Sequence, residues 1–236
     1  MKLSLDSFTV HCDSVADAAD FYTNAFAASI DPHSDVTEVD LHGVGRLQLV
    51  EGATSQGSFP KFIVTYIVPQ PTDVRTVMDM AARCGAQIVK PAKKALFSSF
   101  SGVLRSPDGV IWKIAAESGK DTAPAASEPR PTETTLILGV ADPKASKSFY
   151  TSLGMQTDRD YGSKYIDFQP VSGSARFCLM QTAVLAKDVG LADDSVGTPP
   201  ITLNHRLTTS DEIGAQAPIA DRDGFRWTLV EDQQVS

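Results

Sequence analysis

The chain has 236 residues, 42% of them hydrophobic and 21% charged, which is the composition of an ordinary globular protein with room for two small cores. A formal net charge of −8 argues against nucleic acid or an anionic membrane as the main partner. No apolar run approaches membrane-spanning length, and MKLSLDSFTV lacks the apolar stretch of a signal peptide, so a cytoplasmic protein is expected.

The pattern opens with a strand, LSLDSFTV (3–10). Ser14 then caps a helix, with Asp17 three residues on, and Val15, Ala18, Ala19, Tyr22 and Phe26 form its apolar stripe. VTEVDLHG (36–43) and GRLQLVE (45–51) alternate with period two and predict a hairpin. A second unit starts at KFIVTYIV (61–68). Its helix carries Val74, Val77, Met78 and Ala81 on one face and stops at Gly85. The strands GVLRS (102–106) and VIWKIAA (110–116) flank a Pro-Asp-Gly turn. The order is βαβββ, twice.

ESGKDTAPAASEPRPTE (117–133) has no periodicity and reads as a linker. Beyond it the order starts again. VHCDSVADAADFYTNAFAA (10–28) lies on LGVADPKASKSFYTSLGM (138–155), so that Phe21-Tyr22-Thr23 falls on Phe149-Tyr150-Thr151. Asp142 caps this helix, Pro143 takes its first position and Gly154 ends it. The strands KYIDF (164–168) and ARFCLM (175–180) follow, and 182–198 is expected as a loop. SPDGVIWKI (106–114) matches DRDGFRWTL (221–229), which sets Asp108 on Asp223 and Trp112 on Trp227. The stretch from Pro200 to Asp223 is about half that from Pro60 to Asp108, so the fourth unit keeps ITLNHRLTT and FRWTLVE without room for a helix. The expected fold is α+β: tandem βαβββ units in two paired-unit domains, the second lacking a helix in its last unit. The expected boundaries are 1–118 and 133–232, with 119–132 between them.

Paired βαβββ units with Phe-Tyr on the first helix and Pro-Asp-Gly-x-x-Trp before the last strand resemble the vicinal oxygen chelate superfamily. That superfamily groups glyoxalase, bleomycin-resistance and extradiol dioxygenase proteins. The resemblance covers nearly the whole chain apart from the linker and 182–198. In metal-dependent members the ligands stand on the first strands of paired units and, as a carboxylate, four residues after the turn glycine. The resemblance carries these positions to Ser7 and Lys113 in the first copy and to Thr135 and Thr228 in the second. His205 is placed on the first strand of the fourth unit. An ammonium and hydroxyls do not make a chelate for a dication, so no metal and no cofactor are expected.

Strand alternation predicts which side chains face each cup. The first half supplies Ser7, Thr9, His11, Ile111 and Lys113. The second supplies Thr135, Ile137, His205, Leu207, Arg226 and Thr228. Trp112 and Trp227 then point the other way, as core beneath the helices, with stacking on a ligand as the competing use. Lys113 is a candidate partner for an anionic or carbonyl-bearing ligand, or a snorkelling side chain. Lys90, Lys93 and Lys94 read as a solvated loop, and Tyr161, Lys164 and Tyr165 as turn and edge-strand residues, with the second cup's mouth as their alternative place. Cys12, Cys84 and Cys178 are scattered in apolar surroundings and read as buried thiols.

Two functions remain open at this point. One is a metal-free protein that binds a small organic molecule, such as an antibiotic or toxic metabolite, in a cup between paired units. The other is a metal-dependent glyoxalase-like lyase or dioxygenase that uses His205 with further ligands. A third possibility makes the second half a lid on the first. The two halves permit either a monomer that imitates a dimer or a true homodimer.

Overall fold

The computed structural model describes residues 2–54, 58–94, 100–194, 197–207 and 219–230. The first unit contains β1 (Ser7–Cys12), α1 (Val15–Phe26), β2 (Ser29–Pro32), β3 (Thr37–Asp40) and β4 (Arg46–Glu51). The second contains β5 (Phe62–Val68), α2 (Pro71–Arg83), β6 (Gln87–Lys94), β7 (Phe100–Arg105) and β8 (Ile111–Ala116). The third contains β9 (Glu133–Val140), α3 (Pro143–Ser152), β10 (Thr157–Asp160), β11 (Ile166–Phe168) and β12 (Arg176–Gln181). After α4 (Thr182–Val189), the last unit contains β13 (Ile201–Arg206), β14 (Ile219–Ala220) and β15 (Arg226–Val230). Among the described residues this last unit has no helix. The α+β class and the βαβββ order agree with the sequence. Residues 208–218, and the 231–232 end of the expected second domain, lie outside the described residues.

The helix ends follow the capping chemistry that the sequence offers. Ser14 Oγ accepts the Asp17 N–H, and Asp142 accepts the N–H groups of Lys144 and Ala145. Gly109 and Gly224, in the turns before β8 and β15, both have φ near +90°, which a side chain would resist.

The strands form two sheets, and the units do not pair in chain order. The seven-stranded sheet runs β14-β15-β13-β1-β4-β3-β2, and the eight-stranded sheet runs β10-β11-β12-β9-β5-β8-β7-β6. Each unit's first strand is parallel to its own last strand. It is also antiparallel to the first strand of a unit from the other half, β1 with β13 and β5 with β9. Each sheet therefore takes one unit from each half.

The helices α1, α2 and α3 lie between the sheets, and one continuous core joins all three layers. Phe26 of α1 sits 4.8 Å from Trp112 and 4.9 Å from Tyr66, both on the eight-stranded sheet. Tyr150 of α3 sits 4.9 Å from Phe177 and 5.9 Å from Trp227, on opposite sheets. Both tryptophans are fully buried, as strand alternation predicted. Edge and tilted contacts among these rings add to what their buried area contributes.

The linker is docked on the start of α2. Gln70 Oε1 accepts the N–H groups of Thr122 and Ala123, and Asp121 accepts the Thr72 N–H at 2.7 Å. Tyr66 donates its hydroxyl to the Pro129 carbonyl.

Two readings from the sequence change. Residues 182–198, expected as a loop, contain α4, whose Leu185, Ala186 and Val189 recur on one face before Gly190 ends the helix. Lys90, Lys93 and Lys94 stand on β6, paired with β7, so backbone ladder bonds fix them where a solvated loop was expected. No helix among the described residues is long and apolar enough to cross a membrane.

Candidate functional site

The cup residues read from the sequence divide between the sheets differently from the way they divide between the halves. Ser7, Thr9, His11, Arg226 and Thr228 belong to the seven-stranded sheet, and Ile111, Lys113 and Thr135 to the eight-stranded one. The reason is the pairing of β1 with β13 and of β5 with β9, which brings together groups far apart in the chain. Each sheet has one face against α1–α3 and one face turned outward.

On the seven-stranded sheet the inner face is apolar: Phe8, Val10, Leu47, Leu49, Leu203 and Trp227 are all buried. The outer face carries the alternate residues. Here the register corrects His205. Thr228 stands opposite Asn204, which stands opposite Ser7, so Asn204 shares the outer face with both. His205 is the next residue along and turns inward with Leu203 and Trp227. Its Nδ1 lies 3.1 Å from Ser4 Oγ and 3.4 Å from Asp6 Oδ2. Leu207 shares that parity and does not belong to the cup. Burial alone would raise the Asp6 carboxyl, but His205, the Arg206 N–H and the Ser4 hydroxyl outweigh it and hold Asp6 below the usual range. His205 is a clip for the N-terminal segment.

Asn204 is the centre of the outer face. Its Nδ2 lies 3.0 Å from Ser7 Oγ, 2.9 Å from Thr9 Oγ1 and 3.0 Å from Gln48 Oε1. Thr9 also donates to Gln48 Oε1, and Gln48 Nε2 donates to Glu38 Oε1. The amide of Asn204 is buried and pre-oriented, while His11, Arg226 and Thr228 at the margin are exposed. Asn204, Ser7, Thr9 and Gln48, with the Glu38 carboxylate behind them, thus make a fixed hydrogen-bonding floor.

The fold that this topology resembles accommodates a divalent ion at such a face in its metal-dependent members, and the donors present do not fit one. Ser7, Gln48, Asn204 and Thr228 offer two hydroxyls and two amides, and the Asn204 N–H groups, the Gln48 carbonyl oxygen and the Gln48 N–H groups already serve their neighbours. Zn²⁺, Ni²⁺ and Cu²⁺ select imidazole or thiolate, and Mn²⁺, which takes carboxylate and carbonyl oxygens, needs several that converge. Among the described residues no group of three or more His, Cys, Asp or Glu is placed to hold an ion.

The outer face of the eight-stranded sheet is covered. The helix α4 lies on it, with Leu185, Ala186 and Val189 packed among Ile63, Val103, Ile111 and Ile137. Lys113 does face outward, and Asp188 of α4 holds it: Nζ donates to Oδ2 at 2.6 Å. The cation expected to meet a ligand is paired within the chain. Thr135 is buried and donates to Glu133. Tyr165 reaches this face too, with its hydroxyl 3.0 Å from Cys178 Sγ and 3.2 Å from Asp167 Oδ2, whereas Tyr161 is exposed. Arg159 and Arg176 neutralise the fully buried Asp167.

Neither buried thiol is poised as a nucleophile. Burial and the nearby Asp108 push Cys12 up to about 11, and burial raises Cys178 further. Both are free, as is the half-buried Cys84.

No family model matches the chain, and no curated protein matches it. Solved structures do. A Bacillus subtilis crystal structure provisionally named a dioxygenase superposes with a TM-score of 0.64 at 8% identity, covering 99% of this chain and 86% of that one. A glutamate-to-glutamine mutant of glyoxalase I from Zea mays superposes with a TM-score of 0.56 at 15% identity, covering 97% and 93%. At such identities the likeness establishes the fold. The chain has the fold of the vicinal oxygen chelate superfamily.

Proposed function

We propose that this chain with a vicinal oxygen chelate fold is a metal-independent binding protein, taking a small, uncharged, polar organic molecule on the outer face of its seven-stranded sheet. An antibiotic or toxic metabolite is the kind of ligand in view. The observation that carries the reading is the Asn204 network. An amide NH₂ set among three oxygens on two different strands, its two N–H groups shared between them, is a rigid recognition group, and the groups it touches are all neutral. Such a site discriminates by hydrogen bonding, because a ligand lacking the matching group leaves buried polar atoms unpaired.

The chain supplies both partners of each sheet pairing, β1 with β13 and β5 with β9, which supports action as a monomer. Its free thiols support a reducing, cytoplasmic setting.

Native mass spectrometry of the full chain purified from its own cells tests the reading. The expected result is a non-covalent small-molecule adduct that Asn204→Leu loses while thermal unfolding stays cooperative. An adduct retained in full by Asn204→Leu, or one transition-metal ion per chain in place of an organic molecule, would contradict it.

A further inference from the structure

The contact side of α4 has a definite chemistry. Asp188 presents a carboxylate to Lys113 at 2.6 Å, and Leu185 and Val189, on the same helix, press on a wall of Ile63, Val103, Ile111 and Ile137. Lys90 adds a second tie, its Nζ donating to the Asp188 carbonyl at 2.7 Å. The helix therefore offers the sheet an anion joined to an apolar body, and the sheet offers an ammonium beside an isoleucine wall. We infer that α4 is a built-in occupant of a second binding site, which takes an amphiphilic anion, a medium-chain carboxylate, when the helix lifts away.

The helix is built to be removable. It spans eight residues, shorter than a helix that holds itself together in water. Gln181, at its N-cap, makes no side-chain capping bond, so only the far end, where Gly190 turns into the left-handed region at φ 78°, is capped. A cleft of about 290 Å³, lined by Lys61, Val140, Gln181, Thr182 and Asp223 among others, lies beside its first turn and gives that end somewhere to move. With α4 gone, water would reach Lys113, between Thr65 and Val103, and would also wet the wall of Ile63, Ile111 and Ile137, and leaving that apolar wall exposed is the costly part. An occupant with an apolar tail covers the wall, and a carboxylate on it re-forms the pair with Lys113. Neutral polar molecules, the class assigned to the other sheet, fail on both counts, so this inference stands apart from that reading.

Decanoate is the probe, followed by calorimetry and by hydrogen exchange of the α4 amides in the full chain. In wild type, saturating decanoate is expected to speed exchange across 183–189 while the amides of β9 and β12 stay protected. Asp188→Asn removes the internal anion and is expected to tighten decanoate about tenfold, the value of one released charged hydrogen bond. Lys113→Met is expected to abolish binding in either background. Equal binding by wild type and Lys113→Met, or unchanged α4 exchange at saturation, would overturn the proposal. If Asp188→Asn does not fold, the exchange measurement on wild type decides the matter alone.

Discussion

The Tyr22 hydroxyl and the Asp108 carboxylate stand 86 residues apart in the chain and 2.6 Å apart in space, where they tie α1 to the turn that opens β8. Tyr150 and Asp221 make the equivalent bond at 2.7 Å between α3 and the turn before β15. The two turns place their carboxylates differently. Asp108 stands just before the turn glycine and also accepts the Ser106 hydroxyl, whereas Asp221 stands at the first turn position and accepts the Asp223 and Phe225 N–H groups. Asp223, the residue that aligns with Asp108, serves Ala141 and Ser146 instead.

Burial raises the Asp108 carboxyl above its ordinary 3.8, against the pull of Ser106 and Tyr22. Between the unfolded and folded values the native state binds more protons than the unfolded one, so this group's contribution is full at lower pH and declines as pH rises through the folded pKa. The stability of wild type relative to Asp108→Asn is expected to fall across that window and then level off, measured by urea unfolding at a series of pH values. Tyr22→Phe, which leaves the carboxylate a donor short, is expected to cost about 1–3 kcal/mol. A difference curve that rises with pH would refute the assignment.

His205 turns inward toward Ser4 and Asp6, away from the outer face. His205→Ala is therefore expected to cost about 1–3 kcal/mol in stability, chiefly by freeing polar partners in the N-terminal segment. Hydrogen exchange should show faster opening of residues 3–6. Ligand uptake on the seven-stranded sheet should be unchanged, and its loss with stability intact would restore His205 to the site.

Because each sheet takes one unit from either half, residues 1–118 alone would carry β1 without β13 and β5 without β9. Two first strands would be left as bare edges with half a core beneath them. Expressed alone, 1–118 is expected to aggregate or remain unfolded. Mixing it with 119–236 during refolding should recover a cooperative transition. A monomeric, cooperatively folded 1–118 would contradict the cross-paired architecture.

Local features are legible in the chain itself. Ser14, Asp142 and Pro143 announced helix starts, and the Asp-Gly turns put Trp112 and Trp227 into the core by alternation alone. The pairing of β1 with β13 was not legible, because ladder bonds between distant strands leave no trace in either local pattern. Asn204 carries its own signal in the sequence. In Ile201-Thr202-Leu203-Asn204 the apolar residues alternate with polar ones, so Ile201 and Leu203 claim the inner face and leave Thr202 and Asn204 outside. His205 then follows inward. One step of parity moved the candidate site by one residue. The helix α4 also has its own signature, with Leu185, Ala186 and Val189 spaced on one face before Gly190, but it has no counterpart in the first copy to mark it as part of the repeat.

The amides and hydroxyls of the outer face, without convergent carboxylates or imidazoles, are a poor donor set for a dication, and the proposed metal-independent binding of an organic molecule follows from that chemistry. Side-chain NH₂ resonances of Asn204 and Gln48, followed by NMR as paramagnetic Mn²⁺ is added to the full chain, report on that spot directly. The prediction is that equimolar Mn²⁺ leaves both signals as sharp as the amides of buried strands. Selective disappearance of these two signals at the first equivalent would contradict it.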